Sequence, residues 1–268
     1  MRANKTFIIF WMIVFFIIAS PLWGSEKIAR LSTLVGYPPF CFQKDSKKSV
    51  NNEVIKPGSD STVLQGYSWD IVRTSFHNRG YRIHLTVAPW SRSVYLMENQ
   101  NVELLFTTAY TKERAEKYYY SREEIHKINL VIYVPLDSSI EWKGLESMHG
   151  KSVAIIRGFS GGSLWDEDTR IRKKLINRIE QALGMLDEKR IDGYATNDIV
   201  FDYYLKQHGI TDKYKKLPPF DSVTEYLAGM KTNPHVKNLL DVFDTGKREI
   251  KRNGTMDKIN TKWGLQRK

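Results

Sequence analysis

A single cysteine, Cys41, in 268 residues excludes an internal disulfide framework. It stands well past the one long apolar run and lacks the small residues that precede a lipid-modified cysteine, so it is expected to be a small packed side chain near a site. Metal-ligand spacing is missing as well. His77, His84, His126, His149, His208 and His235 are not paired at ligand spacing with one another or with Cys41, so no metal and no other cofactor is expected. There is no internal repeat and no low-complexity tract, which excludes solenoid and linker-rich architectures. Acidic residues are in short supply: 30 Asp and Glu face 41 Lys and Arg, a net charge of +11. In a cytoplasmic protein that balance points to nucleic acid. The leader described next argues against such a partner and leaves anionic ligands, an anionic membrane surface, or simply a solvated basic surface.

Beyond residue 19 no apolar run is long enough to span a membrane. The first one, residues 7–19, follows Arg2 and Lys5 and is broken by Pro21 and Gly24, the pattern of a secretory signal peptide over residues 1–24 cleaved between Ser20 and Ser25. An uncleaved anchor is the alternative, because the small-residue cleavage pattern is poor. The rest reads as an exported soluble body, with 41% apolar and 26% charged residues and enough length for two lobes.

Within that body, residues 28–35 predict a strand that runs into Gly36-Tyr37-Pro38-Pro39-Phe40, a stiff loop because two prolines cannot sit in a central ladder. Residues 43–65 are polar and predict a long exposed loop or flap. A helix over 66–79 stopped by Gly80, a strand over 81–87, a helix from Pro89 to about 98, and a strand over 102–106 complete a β-α-β-α-β order, the unit of a mostly parallel sheet. Further strands are expected at 128–134, 151–156, 192–196 and 226–230. Helices are expected at 170–186, at 199–208 closed by Gly209, at 234–253 stopped by Gly254, and at 256–263.

Residues 101–121 carry the most chemistry. The apolar strand gives way to hydroxyls at Thr107 and Thr108, and Thr111 is a good N-cap for a helix whose first turn contains Glu113, Glu116 and, against the helix dipole, Arg114. A cation there invites a reason. Guanidinium, threonine hydroxyls and free helix N–H groups together would suit an anion such as a carboxylate. The bland alternative is an ion pair of Arg114 with Glu113 or Glu116 on a solvated face.

Seven segments in order, GYPPF (36–40), GYSWDIV (66–72), PWSRS (89–93), TKER (111–114), GKSVAIIRG (150–158), KRIDGYATND (189–198) and GTMDKINTKW (254–263), resemble the periplasmic solute-binding proteins of ABC transporters, specifically the polar amino acid-binding family, bacterial extracellular solute-binding family 3. The resemblance covers residues 28–264. It implies an α/β, two-lobed periplasmic-binding-protein fold of type II, with the ligand in a cleft between lobes joined by two crossover strands and hinge closure over it. By that analogy lobe one is residues 27–123 plus 225–263, and lobe two is 124–224. The family's carboxylate-binding arginine falls on Arg114, its hydroxyl and backbone partners near Thr107, Ala109 and Ser160, and its ligand-sandwiching aromatics on Tyr37 and Trp90. The competing reading makes Tyr37 and Trp90 core residues. A small carboxylate-bearing solute, an ABC permease or membrane sensor as partner, and a monomer in the periplasm are what the resemblance implies.

One departure matters. The family's amine-binding aspartate falls on Asn197, with Asp198 beside it, and a neutral amide can accept a hydrogen bond from an ammonium but cannot neutralise it. Either Asp198 swings in or the ligand is not a standard zwitterion; alternatively Asp198 only caps the following helix. Two enzyme readings also stand. Residues 158–162, GFSGG, match the nucleophile elbow of a serine hydrolase, with Asp198 and His208 or His235 in the required order. Some proteins of the same fold are dehydratases acting on prephenate- or arogenate-like acids. The histidine to watch is His126, in the expected crossover.

Overall fold

The computed structural model describes residues 26–34, 36–45, 52–157, 159 and 161–265. The leader expected at residues 1–24 lies outside them. The first stretch runs β1 (Ile28–Leu34), β2 (Phe42–Gln43), β3 (Glu53–Ile55), β4 (Leu64–Gln65), α1 (Tyr67–Asn78), β5 (Arg82–Ala88), α2 (Trp90–Glu98), β6 (Leu104–Ala109), α3 (Lys112–Lys117) and β7 (Tyr118–Tyr120). The middle runs β8 (His126–Pro135), β9 (Ser152–Ile156), α4 (Ser163–Glu167), β10 (Arg172–Ile176), α5 (Ile179–Asp187), β11 (Gly193–Asn197), α6 (Asp198–His208) and β12 (Tyr214–Lys216), and the chain closes with β13 (Asp221–Met230), α7 (Val236–Arg252) and α8 (Thr255–Trp263). No helix among the described residues is long and apolar enough to cross a membrane.

β1 pairs in parallel with both β5 and β6, as the alternating order predicts. The sheet then continues β10-β9-β11-β8-β13-β6-β1-β5-β3, with β8 and β13 antiparallel at its centre. These two ten-residue strands are the crossovers: each is shared between the two lobes, one side of the sheet coming from the first and last parts of the chain and the other from its middle. Each lobe has its own core. Trp69, Phe76 and Phe243 pack between α1, α7 and the sheet of the first lobe, while Tyr133 and Phe201 fill one face of the second and Trp165 the other. In α7 the apolar residues Val236, Leu239, Leu240, Phe243 and Ile250 fall on one buried stripe, the 3.6-residue period read from the sequence; Val242 is only half-buried.

Two expectations are corrected. Residues 170–186 are not one helix: Arg172–Ile176 is an edge strand parallel to β9, and α5 starts only at Ile179. Ile171, Leu175 and Ile179 mimic a helical period, but Arg172, Lys173 and Lys174 place charge along an unpaired sheet edge, a common way for edge strands to resist further pairing. Nor is 43–65 a loose flap in its described residues. β3 adds antiparallel to β5, β2 pairs with β4, and two carboxylates hold the connection: Glu53 accepts from the Ser61 hydroxyl (2.5 Å) and the Thr62 N–H (2.7 Å). Asp60 accepts from the Trp69 indole (2.8 Å) and pairs with Arg73 and Lys44 at 3.1 Å each.

Partial burial raises the Asp60 carboxyl, but the Trp69 indole N–H, Arg73 and Lys44 outweigh it and hold the group below the usual carboxylate range. A folded-state value below the unfolded one contributes stability that is full at neutral pH and lost as pH falls through the depressed value. Denaturant titrations between about pH 7 and pH 3 are therefore expected to show a shallower loss of stability for Asp60→Asn than for the parent chain, ordinary aspartates titrating near 3.9. Parallel curves would remove Asp60 from the acid-labile set.

Candidate functional site

At the end of β6 the backbone turns against its own preference. Thr107 has φ +62°, left-handed for a β-branched residue, a conformation that costs on the order of 1–3 kcal/mol and persists only where surrounding contacts impose it. Its hydroxyl donates to the Phe106 carbonyl (2.8 Å) and that of Thr108 to the Leu105 carbonyl (3.3 Å), so both are engaged by their own strand. Thr111 caps α3 as its position predicts, accepting the Arg114 N–H at 3.1 Å.

The Arg114 guanidinium donates to the Ala109 carbonyl at 3.2 Å and lies over the Trp90 ring, 5.8 Å from its centroid. No carboxylate of the described residues is paired with it; the solvated ion pair with Glu113 or Glu116 is not formed. The Tyr120 hydroxyl donates to the same carbonyl at 3.3 Å and is kept protonated by burial, which pushes it up to about 12 against the opposing pull of Arg114. Trp90 is the first residue of α2, set by Pro89, and half-buried: it packs beside Met97, Val102 and Leu105 while presenting a face to the guanidinium. Tyr118–Tyr120 forms the short strand β7 against β13, and the Tyr118 hydroxyl donates to Glu98 at 2.5 Å.

Tyr37 belongs to a second constellation. The N–H groups of Phe40 and Cys41 both reach the Tyr37 carbonyl at 2.8 Å, and the first N–H groups of α1, at Tyr67 and Ser68, are taken by the carbonyls of Pro39 (2.8 Å) and Phe40 (3.1 Å). The GYPPF and GYSWDIV segments thus meet as one unit, and Cys41 lies buried inside it, its thiol pushed well up by desolvation. The Tyr37 hydroxyl donates to Glu225 Oε1 (3.2 Å) and accepts from Asn197 Nδ2 (3.0 Å), a hydrogen bond from one lobe to the other. Burial and the neighbouring Glu225 charge push the phenol well above its ordinary range, so it stays a neutral donor.

Asn197 caps α6, its Oδ1 accepting the Val200 N–H at 2.7 Å. Asp198 accepts from the Ile199 N–H (2.8 Å) and the Asn129 side chain (2.8 Å), which keeps it on the helix start and the crossover strand β8. Ser160 lies outside the described residues. Asp198 and His208 stand at opposite ends of α6, roughly 15 Å apart at 1.5 Å per residue, and cannot serve one hydrolase triad.

Sequence reading missed Glu225. It is 6% exposed, and on β13 it sits directly between Ala109 of β6 and His126 of β8, so the three side chains share one face of the sheet. His126 Nε2 is 3.0 Å from Glu225 Oε2, its Nδ1 is 3.0 Å from the Ser68 hydroxyl, and Phe40 stacks flat on its ring at 3.9 Å. The only signal in the sequence was His126 itself. Two surface depressions lie apart from these residues: one of about 400 Å³ is lined by Ile140, Glu141, Lys143 and Lys151 in the second lobe, and one of about 230 Å³ by Tyr119, Arg122, Lys237 and Asp241, where Arg122 and Asp241 already pair at 2.7 Å. Among the described residues no three His, Cys, Asp or Glu side chains converge as for a metal ion.

No curated protein matches the chain. Among solved structures, the substrate-binding protein of an amino acid ABC transporter aligns with a TM-score of 0.68 at 22% identity, over 89% of this chain and all of that one. A histidine kinase sensor domain with similarity to periplasmic binding proteins aligns with a TM-score of 0.72 at 18% identity, over 89% and 96% of the two chains. An ancestral amino acid-binding protein, a precursor of cyclohexadienyl dehydratase, aligns with a TM-score of 0.67 at 19% identity, over 88% and 95%. At these identities the likeness carries the fold, a two-lobed periplasmic binding protein. Residues 30–266 match the description of bacterial extracellular solute-binding proteins, family 3, and the chain belongs to that family.

Proposed function

We propose that the protein captures a small carboxylate-bearing solute, an amino acid or a close relative, in the cleft between residues 27–123 plus 225–263 and residues 124–224. On this reading it works in the periplasm as a monomer after export by the leader at residues 1–24, and hands its ligand to an ABC permease or presents it to a membrane sensor. The observation that carries the reading is Arg114: a guanidinium at the end of β6, held by the Ala109 carbonyl and the Trp90 face, with no carboxylate of the described residues neutralising it. Tyr37 and Trp90 would flank the ligand. A planar cation braced by a carbonyl and a ring suits a carboxylate, which accepts a bidentate fork.

The dehydratase reading draws support from the ancestral amino acid-binding protein that is a precursor of cyclohexadienyl dehydratase. It needs a titratable group against the leaving hydroxyl. Asn197 cannot be that acid, Asp198 is engaged by Asn129 and Ile199, and Glu225 is buried behind the Tyr37 hydroxyl that donates to it.

Thermal-shift screening against amino acids, dicarboxylates, amines and prephenate tests both. At least one carboxylate is expected to raise the melting temperature, with a change in intrinsic fluorescence that Trp90→Ala largely removes. Prephenate and arogenate are expected to yield no product above buffer. Stabilisation confined to amines without a carboxylate would sink the proposal. Steady turnover abolished by Asp198→Asn would promote the enzyme.

A further inference from the structure

The family position for an amine-binding carboxylate holds Asn197, and both ends of that amide are committed: Oδ1 to the cap of α6 and Nδ2 to the Tyr37 hydroxyl. Asp198 is committed to Asn129 and the Ile199 N–H. The carboxylate in the hydrogen-bonded chain that reaches from lobe to lobe is Glu225, through Tyr37. Its second oxygen, Oε2, is buried with no hydrogen-bond partner among the described residues, and so is the His126 Nε2 that stands 3.0 Å from it. A buried carboxylate oxygen with no hydrogen bond is costly, and that cost falls when a cation comes near.

We propose that Glu225, acting through Tyr37, is the group that selects for a cationic amine on the ligand, in place of the second-lobe carboxylate that Asn197 lacks. The phenol donates its proton to Glu225 and keeps its oxygen for a donor. Asn197 Nδ2 occupies that place as a neutral donor, and a ligand ammonium displacing it makes the stronger, charge-assisted bond, polarised by the carboxylate behind. Glu225 is the register partner of Ala109, whose carbonyl holds Arg114, so the backbone positions that anchor the two groups are neighbours across β6 and β13. The ligand class that follows is a compact zwitterion. This inference rests on the reading of Arg114 as the carboxylate receiver.

Calorimetric titration of the parent chain, Glu225→Gln, Tyr37→Phe, their double variant and Arg114→Ala separates the two. The probes are the standard amino acids and, for each, the same acid without its amine. Glu225→Gln keeps the shape and removes the charge. It is expected to weaken the amino acid at least about tenfold while changing the deaminated acid by no more than about twofold, one decade being the scale of a single charge-assisted contact. Tyr37→Phe should weaken the amino acid more than the deaminated acid, and the double variant should be no worse toward the amino acid than the poorer single, because both act through one hydrogen bond. Should Glu225→Gln fail to fold, Tyr37→Phe carries the same comparison. An unchanged amino acid affinity, or equal loss for both probes, overturns the Glu225 assignment while leaving Arg114 standing. If Arg114→Ala leaves both probes unaffected, or if no probe binds the parent chain, the carboxylate reading fails and this inference with it.

Discussion

Arg114→Ala is expected to abolish useful binding of any carboxylate that stabilises the protein, weakening it by about 2 to 5 kcal/mol, or tens to thousands of fold in dissociation constant. On the proposed reading the loss is that large because the ligand carboxylate would be left without its charged partner when the lobes hold it. The same substitution should barely touch folding. It removes one hydrogen bond to the Ala109 carbonyl and one ring contact with Trp90, and Arg114 is only half-buried. Arg114→Lys should also fail in binding, since an ammonium cannot make the bidentate fork. Titration with a compound chosen from the thermal-shift screen checks this, and an unchanged dissociation constant would remove Arg114 from the site.

The second large effect is on the scaffold beneath Tyr37. Gly66 is the N-cap of α1 with φ +140°, and a Cβ there would lie 2.0 Å from the Phe40 carbonyl oxygen, the acceptor for the Ser68 N–H. Gly66→Ala combines a backbone conformation that side chains rarely adopt with a clash against main chain that cannot rotate away. A destabilisation of about 2 to 5 kcal/mol is expected, roughly 5 to 20 °C in melting temperature for a chain of this size. Because the clash pushes on the loop that carries Tyr37, ligand affinity should fall too in whatever fraction stays folded. Gly80→Ala is the control: φ is +73° but the space is open, so it should lose only about 1 kcal/mol. Equal melting temperatures for the two variants would mean that the Phe40–Gly66 contact is not what joins the turn to α1.

Much of this was legible without coordinates, for reasons particular to each element. The strand–helix alternation of the first lobe, the Thr111 cap, the Gly80, Gly209 and Gly254 stops and the apolar stripe of α7 are local: each depends on residues within a turn or two of one another. The place of Arg114 in the first turn of α3, just past β6, follows from the same local grammar. Short or charged strands defeated it. β3 and β12 are three residues long, too short for any period, and β10 carries three cationic residues that a lone strand would not reveal as an edge.

By itself, then, the sequence determined the order of the longer elements, several of their caps and stops, the α/β class and the placing of Arg114 just after a buried strand, because propensity and periodicity act between near neighbours along the chain. Only the tertiary structure decided what those residues face. It turned the Thr107 and Thr108 hydroxyls onto their own strand, gave the Asn197 Oδ1 to the cap of α6, and brought Tyr37 to Glu225 across 188 positions of sequence. It also set Glu225 between Ala109 and His126, through the registers of β13 with β6 and β8. Register is fixed by which faces are buried together, and a shift of one residue would have turned Glu225 to the opposite side of the sheet.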